Sequence, residues 1–163
     1  MILAITTLIF ALMAFAPGAS PVKTPAINRA AQSSTEDKVQ EVATRFTENL
    51  ISFEHEQIDE FSDRTLADVT QQFETQEQLA LPGGSFEEFK DQIERNQSQS
   101  TGEVLAASVT SQSGDTATAV VVTRQTSGNR DRPERTRTQV LQLSLLNVSG
   151  SWRVDRVGFP TSE

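Results

Sequence analysis

The sequence contains no cysteine and a single histidine, His55. The first absence excludes thiol nucleophiles, disulfide frameworks and thiolate metal ligands. The second leaves any metal site with one imidazole at most, and the acidic residues show no calcium-type D-x-D-x-D-G loop, so no metal is expected. G-x-G-x-x-G, Walker and G-x-S-x-G patterns are missing too. With them go the usual phosphate-cradling loop and the nucleophile elbow, and no cofactor is expected. His55 stands beside Glu54 and Glu56 and four residues before Asp59. A His-carboxylate pair can act as a general base, but His55 and Asp59 are equally an i, i+4 surface pair on a helix. No residue is assigned a catalytic role, and the chain is not expected to be an enzyme.

Charge is also missing where it matters. The first 22 residues carry no charged side chain, and Met1 to Ala16 is almost continuously apolar. Residues 1–20 therefore read as a secretory signal or a membrane anchor, which places the rest of the chain at the cell envelope, outside the cytoplasm, either tethered or secreted. Residues 21–35, rich in Pro, Ala, Ser and Thr, read as a flexible linker, and 36–160 as one domain. Within residues 36–94 there are 16 acidic side chains against Lys38, Arg45, Arg64 and Lys90, a net of −12, whereas residues 95–163 hold eight arginines and six acids. An acidic helical half is repelled by nucleic acid and by anionic head groups, so nucleic acid is not expected as a partner.

Apolar periodicity changes once along the chain. Ser33-Ser34-Thr35-Glu36-Asp37 supplies hydroxyls with acids three residues on, a helix-start pattern. Val39, Val42, Ala43, Phe46, Leu50 and Phe53 follow at spacings of three and four, which predicts a helix over 36–53. Ile58 and Phe61 mark a short second helix, with a break near Asp63; Leu66, Val69 and Phe73 mark a third, to about Leu81. Pro82-Gly83-Gly84 stops it, and Ser85 with Glu88 opens a fourth through Phe86, Phe89 and Ile93. From Thr101 the period becomes two. Strands are predicted at Val104–Ser111, Thr116–Thr126, Thr136–Val148 and from Trp152 onward, with a polar loop at Ser127–Arg132. Short connections make this an antiparallel meander, and helices followed by strands make an α+β plan with one sheet face covered by helices.

The segments ATRFTENLISF, IDEFSDRTLADVTQQFE, TGEVLAASVTSQSGDTATAVVVTRQT and RTRTQVLQLSLLNVSGSWRVDRV occur in that order. From about Lys38 to Val157 the chain resembles the extracytoplasmic domain of actinobacterial Mce-associated membrane proteins. The features that carry the likeness are the Arg45-Phe46 helix, the Gly114-Asp115 turn with Ala-Thr-Ala-Val after it, and the closing Gly-Ser-Trp-Arg-Val-Asp strand. More distantly it resembles assembly-scaffold domains of type IV secretion and conjugation systems. The resemblance implies a nuclear transport factor 2-like cone, with helices on a curved four-stranded antiparallel sheet. It also implies a membrane tether through the N-terminal segment and an accessory role, through protein contacts, in envelope complexes of the Mce lipid-transport type. The family carries a charged cytoplasmic segment before its membrane helix, whereas this sequence opens directly on the apolar run.

Cones of this kind also bind small molecules. A lipid or apolar ligand requires a cavity, with Phe46, Phe73, Leu143 and Trp152 as candidate lining residues. An enzyme using His55 requires that side chain to face the same cavity. Arg124 and the cluster Arg130, Arg132, Arg135 and Arg137 form the sharpest local charge feature. It reads either as a contact for an anion, a lipid head group or an acidic partner, or as a solvated loop with Asp131 and Glu134 interspersed.

Overall fold

The computed structural model describes residues 26–75 and 85–159. Its elements in chain order are α1 (Ala26–Ile51), β1 (Phe53–Glu54), a 3-10 turn at His55–Gln57, α2 (Ile58–Leu66), α3 (Gln71–Thr75), α4 (Phe86–Asn96), β2 (Gln99–Ser113), β3 (Thr116–Asn129), β4 (Arg132–Val148) and β5 (Ser151–Gly158). Residues 1–20, read as a signal or anchor, lie outside the described residues, as does the predicted stretch of the third helix beyond Thr75. Among the described residues no helix is long and apolar enough to cross a membrane.

Helix α1 begins ten residues earlier than the sequence predicts, so 26–35 of the expected linker is helical. Ala, Arg and Gln dominate Ala26–Gln32, and each hydroxyl residue in Ser33–Thr35 costs only about 0.5 kcal/mol relative to alanine, too little to stop a helix already under way. Its apolar stripe is the expected one: Val39, Val42, Ala43, Phe46 and Leu50 are buried. Phe53 is not on the helix but one residue beyond Ser52, in β1, where it pairs with Ser100 of β2. This two-residue edge strand makes the sheet five-stranded where four strands were predicted, in the order β1-β2-β3-β4-β5, antiparallel throughout. Helix α1 lies across β2, β3 and β5.

The predicted loop Ser127–Arg132 is mostly strand: Asn129 pairs with Arg132, leaving Arg130-Asp131 as the turn. Asn129 Oδ1 accepts the Asp131 N–H at 3.0 Å, an Asx turn that tightens the connection. Register shifts fall at Leu105 and Thr110 in β2, at Gly128 in β3 and opposite Ser144/Leu145 in β5. Bulges bend the bulged strand and raise its twist, which is how long strands curl around the helices.

In β5 the extra residue is Asp155. Trp152, Val154 and Val157 are all buried while Arg156 is exposed, so simple alternation fails after Val154. Asp155 Oδ1 accepts the Thr70 hydroxyl at 2.8 Å, and Thr70 Oγ1 accepts the Phe73 N–H at 3.1 Å, capping α3. The break between α2 and α3 therefore falls at Ala67–Thr70, past the predicted Asp63, because this stretch pairs with β5. Val154 N–H donates to Asp68 O at 2.8 Å and Thr70 N–H to Val154 O at 2.9 Å. Arg45 grips the Asp68 carboxylate through Nε at 2.8 Å and Nη2 at 2.7 Å, bidentate geometry that fixes α1 to the same stretch. Asp155→Ala is expected to cost about 1.5–3 kcal/mol, the range for hydrogen bonds to charged groups, and to expose the Phe73 amide to hydrogen exchange. An unchanged denaturation midpoint with a protected Phe73 amide would contradict the capping role.

Candidate functional site

Pairing across the inner sheet face orders its side chains by layer. Ala117/Leu145, Ala119/Leu143 and Val121/Leu141 are opposed pairs of β3 and β4, and all are buried. The same face continues through Thr123/Gln139, Gln125/Arg137 and Ser127/Arg135. Side chains two apart share a face, so one side of one strand passes from leucine to glutamine to arginine. Among the described residues the helices cover only the apolar half.

At the uncovered end lies a cleft of about 730 Å³. Its apolar wall is Leu50 and Ile51 from the end of α1, Phe53 of β1, Phe89 of α4, Leu141 of β4 and Phe159 after β5. Its polar wall includes Gln125, Gln139, Arg132, Arg135 and Arg137. Phe53 and Phe89 meet edge-on at 5.9 Å, and both contact Phe61, which stacks on Phe86 at 5.7 Å. The cleft's inner wall is thus the outer surface of an aromatic cluster that clamps α2 and α4 to β1. Gln125 Nε2 donates to Ser100 Oγ at 2.8 Å and to Ile51 O at 3.4 Å, and its Oε1 accepts from Gln139 Nε2 at 3.4 Å. These bonds hold the glutamines flat against the sheet.

Among the described residues no carboxylate lies within ion-pair distance of Arg132, Arg135 or Arg137, and Asp131 is the one acidic residue lining the cleft. Arg130 approaches Asp131 at 3.6 Å and lines a neighbouring depression instead. The pairs that do form are elsewhere. The hydrogen bond to Asp59 raises Lys90 above its ordinary value, and the one to Asp68 does the same for Arg45. Arg124 meets Glu103 at 2.7 Å in an exposed pair on the outer sheet face. Arg124→Gln is expected to cost less than about 1 kcal/mol, as exposed pairs do, measured as a shift in denaturation midpoint.

The four residues proposed from sequence as cavity lining occupy other places. Phe46 and Phe73 are fully buried and meet edge-on at 5.7 Å, and Leu143 is fully buried beneath them in the core. Trp152 is 6% exposed and borders a shallow surface depression with Lys38, Arg45 and Arg153. None of the four lines the cleft. Three of the four arginines proposed as anion contacts, Arg132, Arg135 and Arg137, do line it. His55 does not. It faces the neighbouring depression with Gln97, Gln99, Arg130 and Glu134, and its Nδ1 is buried without a hydrogen-bond partner among the described residues. Among the described residues no group of three or more His, Cys, Asp or Glu side chains converges as a metal site would require. Phe53, Phe89 and Phe159 were missed as lining residues. The inward face of Arg135 and Arg137 follows from extending the Leu141, Leu143, Leu145 alternation backward by two and three steps.

No protein-family model and no curated protein matches the chain. Solved structures do match in shape. The periplasmic domain of DotI superposes with a TM-score of 0.58 at 8% identity, covering 78% of this chain and 96% of that one. CagV, a VirB8 homologue of the type IV secretion system from Helicobacter pylori strain 26695, gives 0.55 at 8% identity over 78% of this chain and 100% of that one. A nuclear transport factor 2-like superfamily protein from Salmonella enterica serovar Typhimurium gives 0.56 at 14% identity over 80% and 94%. At such identities the likeness speaks for the fold, and the chain is an α+β cone of the nuclear transport factor 2-like type, with helices packed on a curled five-stranded antiparallel sheet.

Proposed function

We propose that this chain is a non-catalytic accessory or assembly subunit of a cell-envelope complex, working outside the cytoplasm through protein contacts. The observation that carries this reading is the shape shared with the periplasmic domain of DotI and with CagV, which covers nearly all of each. The uncharged residues 1–22 support an exported or tethered location. The cleft supports binding over chemistry, because among the described residues its lining pairs no base with an acid and His55 lies outside it. Within that reading, the resemblance of Lys38–Val157 to Mce-associated proteins favours a lipid-transport complex of the Mce type as the assembly served. Its partners are then envelope transport proteins.

Fractionating the native host with a tagged full-length chain tests the proposal. The expected result is recovery with the membrane fraction, with the same envelope transport subunits co-purifying in repeated preparations. Recovery as a free exported protein with no recurrent partner would overturn it.

A further inference from the structure

We infer that the cleft binds an anionic amphiphile: a carboxylate or phosphate head carried on an apolar chain. This goes beyond the assembly role and does not depend on it. Three observations meet at one place. The apolar wall of Leu50, Ile51, Phe53, Phe89, Leu141 and Phe159 is continuous with the core, yet Phe159 is left 41% exposed. Arg135 and Arg137 stand on the same sheet face as Leu141, so a head group bound between them leaves its chain running along β4 toward the leucine layers. Neither guanidinium has an internal carboxylate partner among the described residues, although the chain has acids to spare and pairs Arg45, Arg124 and Lys90 with them elsewhere.

The chemistry fits one ligand type better than its relatives. A guanidinium fork presents parallel N–H donors that match a carboxylate or phosphate, and a volume of about 730 Å³ falls within the ~300–1,000 Å³ of small-molecule sites. A neutral lipid leaves the arginines unmatched. A small inorganic anion leaves the apolar wall in water. Gln125 and Gln139, fixed by their own hydrogen bonds, separate the charged end from the apolar floor; both Gln125 N–H groups are spent on Ser100 Oγ and Ile51 O, whereas Gln139 Nε2 uses one N–H on Gln125 Oε1 and keeps the other for a head-group oxygen. Among the described residues the lining brings no nucleophile and base into contact, which favours holding the ligand over transforming it.

The test uses the full chain and a hexadecanoate bearing a diazirine midway along its chain. Cross-linked peptides are mapped, with total labelling outside the cleft as the internal reference. Adducts are expected on segments 50–53, 89 and 141, or at Phe159. Dodecanoate and dodecyl phosphate should both displace them, dodecanol should not, and octanoate should compete at least about tenfold less well than dodecanoate, because four fewer methylenes are buried. Whichever of the two anions competes more strongly identifies the head group. The paired change Arg135→Gln and Arg137→Gln should lower cleft adducts by about tenfold or more relative to the reference, since both charge-assisted bonds are lost. Arg124→Gln should leave them unchanged. Adducts absent from the cleft, adducts unaffected by the arginine changes in a folded protein, or dodecanol competing as well as dodecanoate would each overturn the inference.

Discussion

Phe46→Ala is expected to lower the free energy of unfolding by about 3–5 kcal/mol, the cost of deleting a buried aromatic ring and leaving its space partly empty. Phe46 is fully buried on the inner stripe of α1, with Phe73 edge-on at 5.7 Å. Its loss removes the apolar contact that keeps the short helix α3 against α1. A helix of five residues has almost no stability of its own, so α3 should lose hydrogen-exchange protection before the sheet does. The check is urea denaturation, where the midpoint should fall with the slope unchanged. Phe159→Ala is the contrast, since a ring left 41% exposed should shift the midpoint little while altering the cleft. A Phe46→Ala loss below about 1 kcal/mol would mean that the core collapses to fill the space.

Gly102→Ala is expected to cost about 1–3 kcal/mol by overpacking. A Cβ at Gly102 would stand 2.3 Å from Ile51 Cγ1 and 2.4 Å from its Cδ1. The backbone cannot easily yield, because Ser52 Oγ accepts the Gly102 N–H at 3.2 Å and donates to Gly102 O at 3.4 Å, clamping the end of α1 to β2. Since Ile51 also lines the cleft, relief by rotating its side chain would change the apolar wall. Adding Ile51→Ala to Gly102→Ala should therefore cost less than the sum of the two single changes, because the smaller side chain removes the clash. Strict additivity in that double-mutant cycle would contradict the close approach.

Much of the fold was legible because two periods are written plainly. Val39 to Leu50 follows a helical spacing and Leu141, Leu143 and Leu145 a strand spacing, and both stripes are buried as read. What was not legible depends on partners distant in sequence. Phe53 continues the helical spacing by number, but β2 offers it a strand edge at Ser100, and that pairing wins. The α2–α3 break waits for Val154 and Asp155, more than 80 residues away. Trp152 and Val154 alternate as expected until the Asp155 bulge, which no local pattern announces.

The site divides along the same line. Arg132, Arg135 and Arg137 were picked out as a charge cluster, and period-two alternation alone puts Arg135 and Arg137 on the face of Leu141. Phe46, Phe73, Leu143 and Trp152 belong to the inner face or core, yet which part of that face stays open is decided by where α1 stops and where α4 packs. Leu50 and Ile51 at the last turn of α1, and Phe89 on α4, become cleft lining for that reason. Helix placement on a sheet is a tertiary property, and no window of sequence contains it.

Size separation of gently solubilised membranes from the native host, with the tagged full-length chain followed by immunodetection, tests the assembly role most directly. The expected result is migration in a particle much larger than the 17.9 kDa chain. Migration as a lone chain in the soluble exported fraction would contradict a subunit of an envelope complex.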